Sequence, residues 1–132
     1  MIQTDSQDFL HTALAEIKLH LSEADFNVHK LSRKLGMSRM QLHRRLRELG
    51  QPAAGELLRN MRLEHAAVLL CQRRLTIAEV ANRSGFRSPA YFAHCFRDRF
   101  GCTPRQFAQQ NQSLKRGNAA KESKGFSISG LN

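Results

Sequence analysis

The sequence predicts an all-α fold of about seven helices, in which two helix-turn-helix subdomains are joined by a long linker helix. Three observations lead to this prediction. Apolar residues recur at helical spacing through most of the chain. A short helix, a glycine turn and a second helix occur in that order twice, around Gly36 and again around Gly85. Between the two copies lies a stretch long enough for about five turns of helix.

The first helix is expected over residues 6–22, with Asp5 or Ser6 capping its first turn. A polar turn follows it. Asn27 is a suitable N-cap for a second helix over residues 28–35. The apolar stripe expected on the inner face of the first helix comprises Leu10, Leu14, Ile17 and Leu21.

The first helix-turn-helix continues through Gly36 into a third helix over residues 39–49. Ser38 would cap this helix, and Leu42 and Leu46 lie one turn apart on its inner face. Polar and basic side chains are left for its outer face. An apolar back and a basic front after a glycine turn are typical of the reading helix of a helix-turn-helix.

A long fourth helix is expected over residues 53–71. Eighteen or so residues at 1.5 Å each span roughly 27 Å, and neighbouring major-groove openings on one face of B-DNA are about 34 Å apart. A rigid helix of this length could hold two reading helices one DNA turn apart. Its buried candidates are Leu57, Leu58, Met61, Ala66, Leu69 and Leu70.

The second helix-turn-helix is expected to have a helix over residues 77–84, a turn at Gly85 and a helix over residues 89–100. Ala81 lies four residues before Gly85, so the two helices can cross closely, and Gly85 can take the positive φ of a tight turn. The inner-face positions of the two reading helices correspond at an offset of 50 residues, but the second turn is one residue longer. Such a repeat arises by chance much less often than a single copy.

A short final helix is expected from Thr103 and Pro104, as N-cap and first-turn proline, to about Gln110. From residue 112 onwards Ser, Lys, Gly and Asn dominate, which predicts a flexible basic tail over residues 112–132. The expected DNA-binding domain over residues 1–111 thus comprises a first subdomain at about 8–52, the linker helix at about 53–71 and a second subdomain at about 75–111.

The charge of the chain indicates a polyanionic partner. The chain has 21 Lys and Arg against 11 Asp and Glu, a formal net charge of +10 and a pI of about 10.6. Nucleic acid or an anionic membrane surface would match this charge. No apolar run approaches the ~20 residues of a membrane-spanning helix and no signal peptide is recognisable, so we expect a cytoplasmic protein that does not bind membranes. The three cysteines lack metal-ligand spacing, and neither a metal nor another cofactor is expected.

Three segments together resemble the DNA-binding domain of the AraC/XylS family of bacterial transcription regulators. IAEVANRSGFRSPAYFAHCFRDRFGCTPRQF carries the GF after the turn and ends with Gly101, Pro104 and Phe107 in the G-x-x-P-x-x-F spacing of that family. RLEHAAVLL is similar to its linker helix, and FNVHKLSRKLGMSRMQLHRRL to its more variable first unit. The opening, DFLHTALAEIKLHLSEADFNV, is similar to output domains of hybrid sensors and response regulators. The resemblance covers about residues 8–110 and implies seven helices, double-stranded DNA as partner, and an upstream sensor or receiver domain in a longer protein.

The resemblance also implies that the exposed faces of the two reading helices contact the bases. Arg44 is the strongest candidate, because one guanidinium can bond guanine O6 and N7 together. His94 stands where relatives often carry a longer side chain, so less direct readout is expected from the second unit. Tyr91 is equally suited to packing against the neighbouring helix. The base-reading candidates are Arg39, Met40, His43, Arg44, Arg87, Ser88, Ala90, Tyr91 and His94, and the phosphate-contact candidates are Ser38, Arg45, Arg47, Arg97 and Arg99.

The sequence therefore predicts a sequence-specific transcription regulator, classed with the family's activators, with RNA polymerase as a further expected partner. A nonspecific architectural or RNA-binding protein would have the same charge and is the alternative. The phenylalanines have the spacing of a buried helix face rather than of platforms for single-stranded bases. Enzymatic activity is not expected, because no nucleophile elbow, phosphate loop or acid–base cluster is present.

Overall fold

The computed structural model describes the backbone of residues 2–117 and the side chains of residues 6–111, and its regular elements over that range are all α-helices. The predicted all-α fold is confirmed. None of the described helices combines the length and the hydrophobicity that crossing a membrane requires. In chain order the helices are α1 (Ile2–His20), α2 (Val28–Lys34), α3 (Arg39–Glu48), α4 (Ala54–Gln72), α5 (Ile77–Arg83), α6 (Pro89–Phe100) and α7 (Pro104–Gly117).

The helices belong to two compact units, and the boundary between the units falls within α4. The first unit ends at Met61 and contains α1, α2, α3 and the beginning of α4. The second unit begins at Arg62 and contains the remainder of α4 with α5, α6 and α7. Each unit has its own hydrophobic core.

In the first unit, α1 is buried along a stripe that differs from the predicted one. Phe9, Ala13 and Ile17 are buried, whereas Leu10 and Leu14 are only half-buried. All five side chains are apolar, so their spacing alone does not locate the centre of the buried face. The rest of this core comprises Leu21, Phe26, Leu31, Leu42, Leu46, Ala54, Leu57 and Leu58.

In the second unit, phenylalanine rings from α6 and α7 form the centre of the core. The Phe96 ring centroid lies 5.6 Å from that of Phe92, 4.5 Å from that of Phe100 and 5.3 Å from that of Phe107. Phe92, Phe96 and Phe107 are completely buried. The prediction that these rings are core residues is confirmed for Phe92, Phe96 and Phe107, whereas Phe100 is half-buried and packs against this core.

The buried positions of α4 were predicted in part. Ala54, Leu63 and Ala67 are buried and were missed, while Met61 and Leu69 are only half-buried. The apolar positions of α4 contribute to the core of one unit at its start and of the other unit at its end. A helix that serves two cores has no single apolar stripe, which explains the missed positions.

Both ends of the described chain are more helical than expected. Helix α1 begins at Ile2, so Asp5 and Ser6 lie within it and do not cap it. Helix α7 continues to Gly117, beyond the expected end near Gln110. The remaining residues of the predicted basic tail, 118–132, lie outside the described residues.

Candidate nucleic-acid interface

The first helix of each helix-turn-helix ends in the same way. Gly36 has a φ of 71° and Gly85 a φ of 85°. The backbone N–H of the residue after each glycine donates to the carbonyl oxygen of Ser32 at 3.0 Å or of Ala81 at 2.9 Å. This bond, closing over a left-handed glycine, is the Schellman motif that terminates helices. The positive φ predicted at Gly85 is confirmed, and Gly36 in the first unit also has a positive φ.

The two reading helices, α3 and α6, also begin alike, but after turns of different length. Ser38 is the N-cap of α3 and Ser88 is the N-cap of α6. Only Met37 separates the first turn glycine from Ser38, whereas Phe86 and Arg87 separate the second from Ser88. Because Phe86 follows its glycine as Met37 does, Arg87 is the additional residue, and its side chain is exposed. The longer second turn is confirmed.

Helix α3 separates an apolar inner face from a basic outer face. Leu42 and Leu46 are buried in the core of the first unit. Met40 has 71% of its surface exposed, so its side chain is available for an apolar contact. The candidates of this helix that lie exposed together are Arg39, Met40, His43, Arg44 and Arg47.

A reciprocal capping box fixes the start of α3. The Ser38 N–H donates to Oε1 of Gln41 at 2.8 Å, and the Gln41 N–H donates to the Ser38 hydroxyl oxygen at 3.1 Å. The Gln41 oxygen is thereby engaged within the protein, although Gln41 lies near the reading face. The Ser38 hydroxyl accepts this bond and still has its own proton to donate, which suits it to a phosphate oxygen.

Helix α6 presents a less basic outer face. Ala90, Tyr91, His94 and Arg97 are exposed on it. Tyr91 keeps 52% of its surface exposed while its ring centroid lies 6.1 Å from that of Phe86. Its ring therefore packs on the turn and also remains open to a ligand.

His94 has an acidic neighbour on the same helix. Its Nε2 lies 3.4 Å from Oδ2 of Asp98, one helical turn away, and both side chains are largely exposed. The Asp98 carboxylate would repel a phosphate group placed close to His94. The corresponding residue of α3 at the 50-residue offset is Arg44.

Two arginines predicted to contact phosphates have partners within the protein. The Arg45 guanidinium carbon lies 4.2 Å from the ring centroid of Phe9 on α1, in a cation–π contact. Arg99 forms an ion pair with Glu64 on α4, and its guanidinium lies 5.6 Å from the Phe100 ring centroid. Sequence reasoning missed the contacts with Phe9 and Glu64, because these two partners lie far along the chain from the arginines.

The shifted pKa values in the second unit reflect burial or local capping. Burial lowers the pKa of the Arg62 guanidinium and of the His65 imidazole on α4, and it raises the pKa of the Cys102 thiol. A hydrogen bond from the Thr76 backbone lowers the pKa of the Glu79 carboxyl at the start of α5. None of these groups is a reading candidate. Within the described residues, no group of three His, Cys, Asp or Glu side chains could hold a metal ion.

Two helices with matched caps and polar outer faces, one in each unit, define a double helix-turn-helix DNA-binding domain. A family model described as a helix-turn-helix domain matches residues 31–110, which is more than half of the chain. The chain belongs to the AraC-type helix-turn-helix family of DNA-binding transcription regulators.

Known proteins with similar sequences or structures agree with this assignment. The DNA-binding domain of AdpA, solved in complex with a target DNA, is 31% identical, has a TM-score of 0.75, and covers 83% of this chain and 97% of that chain. The regulator GlxA of Rhizobium meliloti is 36% identical over 63% of this chain and 26% of its own length. Histidine kinase P4 of Formosa agariphila is 29% identical over 80% of this chain and 8% of its own length. The chain thus spans about a third or less of the curated relatives it matches.

Proposed function

We propose that the chain reads a bipartite site on double-stranded DNA, with α3 and α6 entering two adjacent major-groove segments. The observation that carries this proposal is the repeat itself. Each unit ends its first helix at a left-handed glycine, begins its reading helix at a serine cap, and exposes the polar face of that helix. In a helix-turn-helix, the second helix lies in the major groove and its N-terminal residues contact base edges.

In the first unit, Arg44 is the principal base-reading residue of the proposal. Its exposed guanidinium on the outer face of α3 has the donor geometry for guanine O6 and N7. Arg39 and His43 are further hydrogen-bonding candidates on the same face. Met40 supplies an apolar contact suited to a thymine methyl group.

In the second unit, the proposed base contacts are fewer and weaker. Tyr91 and His94 carry the polar groups of α6, while Ala90 offers only a methyl contact. Arg87 and Ser88 lie at the start of α6, where the longer turn approaches the groove. This division supports the expectation that the first unit contributes more of the direct readout.

Phosphate contacts are proposed to fix the position of both reading helices. Ser38 can donate its hydroxyl proton, and Arg47 and Arg97 are exposed near the ends of α3 and α6. Arg45 is the weaker candidate, because its guanidinium already packs on the Phe9 ring.

A sensor or receiver domain in a longer protein is a further proposed partner, supported by the length of the relatives. The region matched by this chain occupies only 8% of the histidine kinase and 26% of the regulator. This supports an arrangement in which an upstream sensor or receiver domain controls the DNA-binding domain. RNA polymerase is proposed as the partner through which bound protein would alter transcription.

A competition experiment tests sequence-specific binding against nonspecific binding. A labelled duplex enriched for binding is displaced by unlabelled copies of itself, by unrelated duplexes and by single-stranded RNA, at a fixed salt concentration. Sequence-specific binding predicts at least a thousandfold preference for the enriched duplex, as is typical of specific DNA readers. Equal competition by unrelated duplexes would instead identify an architectural protein.

A further inference from the structure

We propose that Arg99 is a positioning residue that holds α6 against the linker helix through Glu64, rather than a phosphate contact. This inference rests on the proposed function, because it concerns how the second reading helix is presented to DNA. It also assigns Glu64, which lies away from the reading faces, a role in recognition.

The ion pair joins two helices that are separated along the chain. Nη2 of Arg99 donates to Oε2 of Glu64, 35 residues earlier. The Glu64 side chain is only 12% exposed. The same guanidinium lies over the Phe100 ring, so both its charge and its planar surface are engaged.

Because the Glu64 side chain is largely buried, Arg99 cannot easily exchange this carboxylate for a DNA phosphate. The Arg99 side chain is 29% exposed, but if it turned outward it would leave the less exposed Glu64 carboxylate without this partner, which is unfavourable. Arg97 stands two residues earlier on the same helix and is exposed. A contact between Arg97 and DNA would leave the pair of Arg99 and Glu64 intact.

The pair acts on the end of α6 opposite to the proposed base contacts. Arg99 lies in the last turn of α6, whereas Ala90 and Tyr91 lie in its first turn. Phe92 and Phe96 hold the middle of α6 in the core, so we expect release of its last turn from α4 to tilt the helix about these residues and to shift its first turn. A second arginine contact also stabilises the packing of the second unit. Nη1 of Arg73 donates to the Ala108 carbonyl oxygen on α7 at 3.0 Å.

The test is a charge exchange in the full 132-residue chain, with DNA affinity measured over a range of salt concentrations. Arg99→Ala and Glu64→Ala are each expected to weaken binding to the enriched duplex about tenfold, and the double variant no further, because both remove one interaction. The exchanged variant, Glu64→Arg with Arg99→Glu, should recover affinity to within about threefold of the parent. None of these variants should change the salt slope, whereas the control Arg97→Ala should reduce it by about 0.9.

Three results would overturn the proposal. A salt slope reduced by about 0.9 in Arg99→Ala, with unchanged binding by Glu64→Ala, would identify Arg99 as a phosphate contact. Weaker binding by the exchanged variant than by either single variant, with the circular dichroism spectrum and melting temperature of the parent, would lead to the same conclusion. Lower melting temperatures with an unchanged preference in the second half-site would show that the pair only stabilises the fold.

Two further proteins, the isosteric variant Glu64→Gln and the parent chain, are measured in the same binding experiment. Glu64→Gln preserves the shape of the side chain and should fold even if the exchanged variant does not. We expect it to lose about threefold in affinity, and an unchanged affinity would contradict the positioning role. A parent chain without any sequence preference would contradict the proposed function itself, whereas a parent whose preference survives Glu64→Ala contradicts the positioning role alone.

Discussion

Thr76 and Glu79 form a capping box at the start of α5. The Thr76 N–H donates to a Glu79 carboxylate oxygen at 2.8 Å, and the Glu79 N–H donates to the Thr76 hydroxyl oxygen at 3.1 Å. Ser38 and Gln41 form the same pair of bonds at the start of α3. The two boxes differ in one respect. The box on α5 contains a carboxylate and therefore depends on pH, whereas the box on α3 does not.

The capping box of α5 should weaken in acid. The hydrogen bond from the Thr76 backbone is the largest cause that lowers the pKa of the Glu79 carboxyl from its ordinary value of 4.5. Because the folded pKa lies below the unfolded one, this stabilisation is fully present above about pH 4.5 and is lost as the pH falls through the folded value. Glu79→Gln keeps the hydrogen-bond acceptor and should remove this part of the pH dependence. Urea unfolding between pH 3 and 6 measures the difference, and parallel curves for parent and variant would contradict it.

Replacing the serine cap of α3 should destabilise the first unit. Ser38→Ala removes the acceptor for the Gln41 N–H and should lower the free energy of unfolding by about 1 kcal/mol. Ser22 is exposed in the turn after α1, and Ser22→Ala serves as the matched control. Urea unfolding followed by circular dichroism measures both variants. Equal stability of the two would show that the box contributes nothing.

The same substitution at two glycines should have opposite effects. Gly36 has a φ of 71° and no atom within 4 Å of an added Cβ, so Gly36→Ala should cost about 1 kcal/mol from backbone strain alone. Gly55 lies in α4, where an added Cβ would meet Val28 Cγ2 at an ordinary 3.8 Å. Gly55→Ala should therefore stabilise the protein by about 0.5 kcal/mol. Unfolding midpoints that moved in the same direction for both variants would be inconsistent with the left-handed turn.

Phe96 should be the side chain on which the second core depends most. Its ring contacts those of Phe92, Phe100 and Phe107, and it is completely buried. Phe96→Ala should cost about 3–5 kcal/mol, because it leaves a large cavity. Tyr91→Ala on the exposed face of the same helix should cost far less. Thermal unfolding measures both, and a loss below about 1 kcal/mol for Phe96→Ala would contradict the packing.

Most helix ends between α2 and α6 depend on neighbouring residues and could be predicted from the sequence, whereas the start of α1 and the end of α7 could not. Asn27, Ser38 and the turn glycines act on backbone groups within a few residues, so they mark the helix ends. The limits of α6 were predicted without error for the same reason, since Pro89 begins it and Gly101 ends it. Local rules of this kind are the most reliable in a sequence.

Parts that depend on distant residues could not be predicted. Arg45 and Arg99 have the appearance of phosphate contacts because their charge and helix position are visible in the sequence. Their partners, Phe9 and Glu64, approach them only after the helices have packed. Which exposed side chains of α3 and α6 touch DNA stays a prediction, since exposure permits a contact without selecting it.

The most direct test of a bipartite DNA reader is selection of bound duplexes from a random library by the 132-residue chain and by its Arg44→Ala variant. We expect the parent to enrich two half-sites about one helical turn, roughly 10 base pairs, apart. Arg44→Ala should lose sequence information in one half-site and keep it in the other. Tight binding at low salt without any enriched sequence would contradict sequence-specific reading by these two helices.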